Sequence, residues 1–193
     1  MTRPSMATLA AGLVLFLGIH LLPAFADLRG SLVERWGERR YKGLFSLVSF
    51  AGLALIIVGY AYAPRGPQLF APWPAAMAIA PYAVTLAFIL FAAANMRGHI
   101  RRSLRHPMLI GLLIWSGVHI LANGDLRGTI LFGAFFAYGI ADLISVTQRG
   151  AVKTFELTPR HDVIAIVAGI AFALAVMTFH RALFGVRVVS FGV

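Results

Sequence analysis

Long apolar runs alternate with short, arginine-rich connections along nearly the whole chain. Six runs predict membrane-spanning helices, over 6–26, 43–63, 74–95, 108–122, 128–146 and 162–179. None shows the apolar–polar alternation of barrel strands, so the expected fold class is all-α, a polytopic transmembrane helical bundle of about six spans. The fourth run is short for the roughly 30 Å of hydrocarbon a span must cross. The connections leave no room for a second domain, and there is no internal repeat; 1–193 reads as one membrane domain.

The polar stretches carry their own expectations. Residues 27–42 mix acids with bases and end in WGERRYK, which pairs aromatic anchors with arginines and predicts a short interfacial helix. PRGPQLFAPWP is too rich in proline for a helix and predicts a turn. MRGHIRRSLRHP is the most basic stretch, and Thr158-Pro159 marks the start of the last helix.

Composition fixes the class. Of 193 residues, 60% are hydrophobic and 12% charged, and the mean hydropathy is +0.83. The net charge of +10 would suggest nucleic acid in a soluble protein. In a membrane protein it reflects basic cytoplasmic loops, so the lipid bilayer is the expected partner and nucleic acid is not. The first, third and fifth connections hold five, four and three Lys/Arg; the amino end, second and fourth connections and carboxyl end hold one, one, one and two. That asymmetry puts both termini in the periplasm of a bacterial inner membrane, in a multi-pass protein. Ala24-Phe25-Ala26 mimics a signal-peptidase site, but the bases that follow it favour an uncleaved first span over a cleaved signal. With no cysteine, disulfides, thiolate ligands, iron–sulfur clusters and covalent haem attachment through CxxCH are excluded.

Polar groups inside the apolar runs are the candidate chemistry. His20 lies in the first span, three residues before Pro23, whose missing N–H frees a carbonyl. His119 lies deeper in the fourth, on a stripe with Ser116 and Asn123; Trp115 is one turn before it, and Gly111 leaves room for a flat ligand or a neighbouring helix. For both histidines the competing reading is polar glue between helices. Asp142, in the fifth span, shares a face with Tyr138, and its depth suggests a hydrogen bond to His20 that would orient the imidazole. His106, flanked by Arg101, Arg102 and Arg105, is placed to meet an anionic head group or a propionate-like carboxylate, against the plainer reading of a solvated basic loop. Asp125 reads as a helix cap, and His99, His161 and His180 as ordinary interfacial residues. Two span histidines without cysteine suit a b-type haem or a simple metal site, with His20 and His119 as iron ligands and Arg105, His106, Asn123 and Asp142 as further cofactor-binding candidates. No catalytic residue is singled out. His20 and His119 differ in expected depth, about 8–10 Å against 18 Å from the cytoplasmic edge.

GIHLLPAFADLRGSLVERWGERRYKGLFSLVSF and RHPMLIGLLIWSGVHILANGD resemble the NnrU family over most of the chain. That resemblance implies a bacterial polytopic membrane protein associated with nitrite and nitric oxide reduction (denitrification), with a respiratory-complex partner. The same family includes plant and cyanobacterial zeta-carotene isomerases, whose haem is implicated in cis–trans isomerisation, so an isomerase acting on a hydrophobic polyene is the alternative. By this likeness His20 and His119 correspond to haem ligands, His119 standing thirteen residues after His106 of the HP pair, while Arg29, Arg40 and Tyr41 match the pattern after the first span. The chain departs from the isomerases after the second span, where AYAPRGP lacks a histidine, and at Tyr138, which stands at a later histidine position. A cofactor-free structural or assembly factor is the third reading, and whether the chain is an enzyme stays open.

Overall fold

A computed structural model describes residues 5–152, 154–185 and 188. Among them the chain is helical with no strand, in eight α-helices: α1 Met6–Leu21, α2 Ala26–Trp36, α3 Glu38–Tyr62, α4 Pro74–Ala93, α5 His99–Leu104, α6 Pro107–Asn123, α7 Leu126–Gln148 and α8 Arg160–Phe184. Five segments are long and apolar enough to cross a membrane: Met6–Ala24, α3, α4, α7 and α8. The expected sixth crossing, α6, has 17 residues, about 26 Å at 1.5 Å per residue and short of a roughly 30 Å core.

Where the boundaries move, local chemistry moves them. The first run does not continue to residue 26: α1 stops at Leu21, a single 3₁₀ turn spans Leu22–Ala24 with Pro23 inside it, and α2 follows as the expected loop helix. Gly37, at φ 77°, separates α2 from α3, which begins inside ERRYK, five residues earlier than hydropathy alone suggests. The proline-rich connection is non-helical as expected, whereas α5 arises within the basic third connection. Asp125 caps α7 through its Oδ1, which accepts the Gly128 N–H at 3.0 Å.

The helices pack as a row. α3 lies on α1, α1 on α7, α7 on α6, α6 on α4, and α4 on α8. Small residues permit the closest crossings: a Cβ on Gly59 would stand 2.5 Å from the Leu9 backbone nitrogen, and one on Gly169 2.5 Å from Ile89 Cα. Gly111 likewise faces Ala87 O and Phe91 of α4, so its open face admits a neighbouring helix. Leu9, Leu13, Ile56, Leu131 and Phe132 form the buried core between α1, α3 and α7. Many large apolar side chains point outward instead, Phe50 at 74% and Val14 at 73% exposure among them, as a lipid-facing surface requires.

Candidate functional site: two membrane histidines

His20 and His119 make the same local bond. The His20 Nδ1 is 2.6 Å from Phe16 O, and the His119 Nδ1 is 2.7 Å from Trp115 O, each one helical turn back. A carbonyl oxygen can only accept, so Nδ1 carries the proton in both rings and Nε2 is left with its lone pair. That is the tautomer a metal-binding imidazole adopts when its other nitrogen is held by a hydrogen bond.

Their surroundings differ. The His20 ring packs on Phe16 at 4.3 Å between centroids, on Phe45 at 5.3 Å, and edge-on to Tyr138 at 6.5 Å. Phe45 sits mid-way along an α3 stripe at helical spacing, Tyr41–Phe45–Ser49. Tyr41 OH and Ser49 Oγ are both buried and find no hydrogen-bond partner among the described residues. An unpaired buried hydroxyl costs about 1–3 kcal/mol, so the α3 stripe that meets His20 through Phe45 carries two groups without a protein partner, one turn to either side of that contact. The guanidinium of Arg29 stands 5.6 Å from the Tyr41 ring centroid.

His119 is packed differently. It stacks on Phe132 at 4.6 Å and contacts Trp115 at 5.2 Å. The polar stripe around it is satisfied within its own helix: Ser116 Oγ donates to Leu112 O at 2.6 Å, and Asn123 Nδ2 donates to His119 O at 2.7 Å. Asn123 therefore serves the end of its own helix. Beyond it, Gly124 takes the left-handed conformation, and the Gln68 side chain and Leu69 N–H bond to Asn123 O and Gly124 O.

The two imidazoles are not neighbours. A chain of rings leads from His20 through Phe16, Phe135 and Trp115 to His119. Their respective contacts on α7, Tyr138 and Phe132, are six residues apart, about 9 Å along the helix axis. Shared ligation needs the two Nε2 atoms about 4 Å apart, twice a typical metal–imidazole bond of roughly 2.0 Å. Among the described residues no group of three or more His, Cys, Asp or Glu gathers around a point.

Asp142 does not bond to His20. Its Oδ2 accepts the Tyr138 hydroxyl at 3.1 Å, and His20 spends its N–H on Phe16, so the tyrosine ring stands between acid and imidazole. Arg105 and His106 lie at the opposite end of α6 from His119.

Two arginines that hydropathy patterns passed over hold this framework. Arg127 Nη1 donates to Tyr60 O and Ala63 O, both at 2.8 Å, and its guanidinium lies 4.4 Å from the Tyr60 ring centroid, closing the carboxyl end of α3. Arg149 Nη1 donates to Pro23 O at 2.8 Å in the 3₁₀ turn after α1. The carbonyl that a proline at 23 frees in a helix is that of Ile19, which the Leu22 N–H takes instead; nothing nearby in sequence pointed to Pro23 O as an acceptor or to its donor, 126 residues away. His99 and His161 have structural work as well. Asp162 accepts the His99 and Ile100 backbone N–H groups and the His99 ring, and His161 Nδ1 accepts the Arg97 N–H, tying α5 to the start of α8.

The model of the family described as NnrU protein matches residues 8–188, nearly the whole chain. The chain belongs to the NnrU family. No curated protein and no solved structure matched it. The family match embraces both membrane histidines, the NGD turn and the basic stretch before α6, so the NnrU segment carries the candidate site and its supports together.

Proposed function

We propose that this NnrU-family protein is a b-type haem protein of the bacterial inner membrane that supports nitrite and nitric oxide reduction. The observation that carries the haem reading is the surroundings of His20: an imidazole with Nδ1 held and the Nε2 lone pair left over, packed on Phe45 of an α3 stripe whose flanking Tyr41 and Ser49 hydroxyls are buried without a partner among the described residues. The donor set suits a haem iron one histidine at a time. Bound haem supplies a redox-active iron. The chain's own part is to fix the tautomer of His20 through Phe16 O and to exclude water with Phe16, Phe45 and Tyr138. Tyr41 OH and Ser49 Oγ, one turn either side of Phe45 on α3, have hydrogen bonds to offer. His119 is the second candidate ligand, and sharing one iron with His20 requires displacing the Phe16, Phe135 and Trp115 rings that link the two.

The partition of basic residues supports six crossings with both termini in the periplasm, α6 being the short one. The link to nitrite and nitric oxide reduction rests on family membership. The test is spectroscopic: protein purified from haem-replete cells is expected to show a Soret band that disappears in the His20→Ala, His119→Ala double variant. A colourless wild-type preparation sinks the haem reading, whereas an undiminished band in the double variant keeps the haem and moves its ligands away from His20 and His119. Growth on nitrite of a strain lacking the protein, compared with the complemented strain, tests the physiological role.

A further inference from the structure

A cavity of about 600 Å³ opens at the basic end of the bundle, between the end of α4, the α5–α6 corner and the segment after α7. Its polar wall carries Arg101, Arg102, Arg105 and His106, and Met108 and Phe155 belong to its apolar wall. None of the three guanidiniums stands within ion-pair distance of a carboxylate among the described residues. Glu156, the nearest acid in sequence to Phe155, does not line the cavity. Arg101 is laid over Phe155, 5.0 Å from the ring centroid, so one cation is already held in place.

The corner is strained in a way that serves this cluster. Arg105 has φ 60° and ψ −51°, the one positive φ outside glycine among the described residues, and the His106 N–H reaches back to Leu104 O at 2.6 Å. A three-residue turn of this hand is rare and strained, and any longer connection would avoid it. It brings the side chains of Arg105 and His106 to the cavity at the start of α6.

We propose that this cavity binds the head group of an anionic phospholipid. Arg102 and Arg105 are exposed and none of the three guanidiniums is paired with a described carboxylate, so the cluster presents its charge to an incoming anion, and phosphate oxygens match the guanidinium fork. The apolar wall would be idle against a free anion but suits a glycerol backbone and the first acyl carbons. The cavity lies where apolar helices α4 and α6 give way to an arginine-rich corner, the level at which a lipid presents its phosphate. A haem propionate is a poor occupant: Pro107, which lines the cavity, and His119 are twelve residues apart on α6, about 18 Å, and His20 packs among α1, α3 and α7. The inference is independent of the haem reading.

Native mass spectrometry of protein released from phosphatidylcholine nanodiscs doped with phosphatidylglycerol tests it. Wild type is expected to retain one phosphatidylglycerol in preference to phosphatidylcholine. Arg105→Gly relieves the strained φ as it removes the charge, so helicity and melting temperature should hold while retention falls about fivefold. Arg105→Lys should keep most of the retention, and the Arg101→Gln, Arg102→Gln pair should lose more than Arg105→Gly. Arg65→Gln, at the other end of the bundle, should behave as wild type. No preference for phosphatidylglycerol in wild type, or unchanged retention in folded Arg105→Gly, overturns the proposal. Displacement of the lipid by millimolar inorganic phosphate would also overturn it, by making the cavity a site for free anions.

Discussion

Helix geometry treats His20 and His119 alike: each donates Nδ1–H to the carbonyl one turn back, at 2.6 and 2.7 Å. The helices around them do not. His20 is met by Phe45 of α3, which lies one turn from each of two hydroxyls without a partner among the described residues, and by Tyr138 of α7, which is bonded to Asp142. His119 is enclosed by Trp115 and Phe132, the polar residues of its own stripe are satisfied within α6, and a single hydroxyl without a partner, Thr129 Oγ1, lies one turn from Phe132 on α7. An intramembrane histidine is therefore judged by the unmet hydrogen-bonding capacity of its neighbours more than by its own hydrogen bond.

That contrast can be broken most directly by single substitutions. His20→Ala is expected to abolish the Soret band and His119→Ala to leave most of it; equal loss in both would mean that the helices slide to share one iron. Gly59→Leu should come next. A Cβ there already stands 2.5 Å from the Leu9 nitrogen, so the larger side chain must push α1 from α3. Thermal unfolding should show a loss of about 3 kcal/mol or more, with the haem spectrum changing as His20 loses Phe45.

Smaller effects sharpen the same comparison. Tyr41→Phe removes a buried hydroxyl without a partner, so the haem-free protein should be unchanged or more stable by about 1 kcal/mol. If that hydroxyl serves the cofactor, haem affinity measured by titration should fall by roughly 10–100-fold. Ser116→Ala, beside His119, should alter stability by only about 0.5–1 kcal/mol in chemical denaturation and leave haem affinity unchanged. A large loss of haem from Ser116→Ala would reverse the ranking of the two histidines.

Much of this could be read from residue order. The helical class follows from unbroken apolar runs, and the shortness of α6 from the distance between Pro107 and Asn123-Gly124-Asp125. The Asp125 cap and the helix in 27–42 follow from local chemistry of the same kind. The suggested His20–Asp142 bond failed for a three-dimensional reason. Matching depth does not fix which way a side chain turns, and Tyr138, one turn from Asp142 on the same face, reached the carboxylate first.

The sequence by itself determined what lipid and backbone chemistry dictate: where the chain must be helical, where it must turn, and which few polar groups are costly enough to need an explanation. Each depends on interactions within a few residues or on the contrast between hydrocarbon and water. Only the tertiary structure decided which helix lies against which, because small-residue crossings such as Leu9 on Gly59 and long-range clamps such as Arg149 on Pro23 join positions far apart in the chain. Tertiary packing also leaves the Tyr41 and Ser49 hydroxyls without partners among the described residues and brings Phe155 and Thr154, from the segment after α7, against the arginines of the basic stretch to close one cavity.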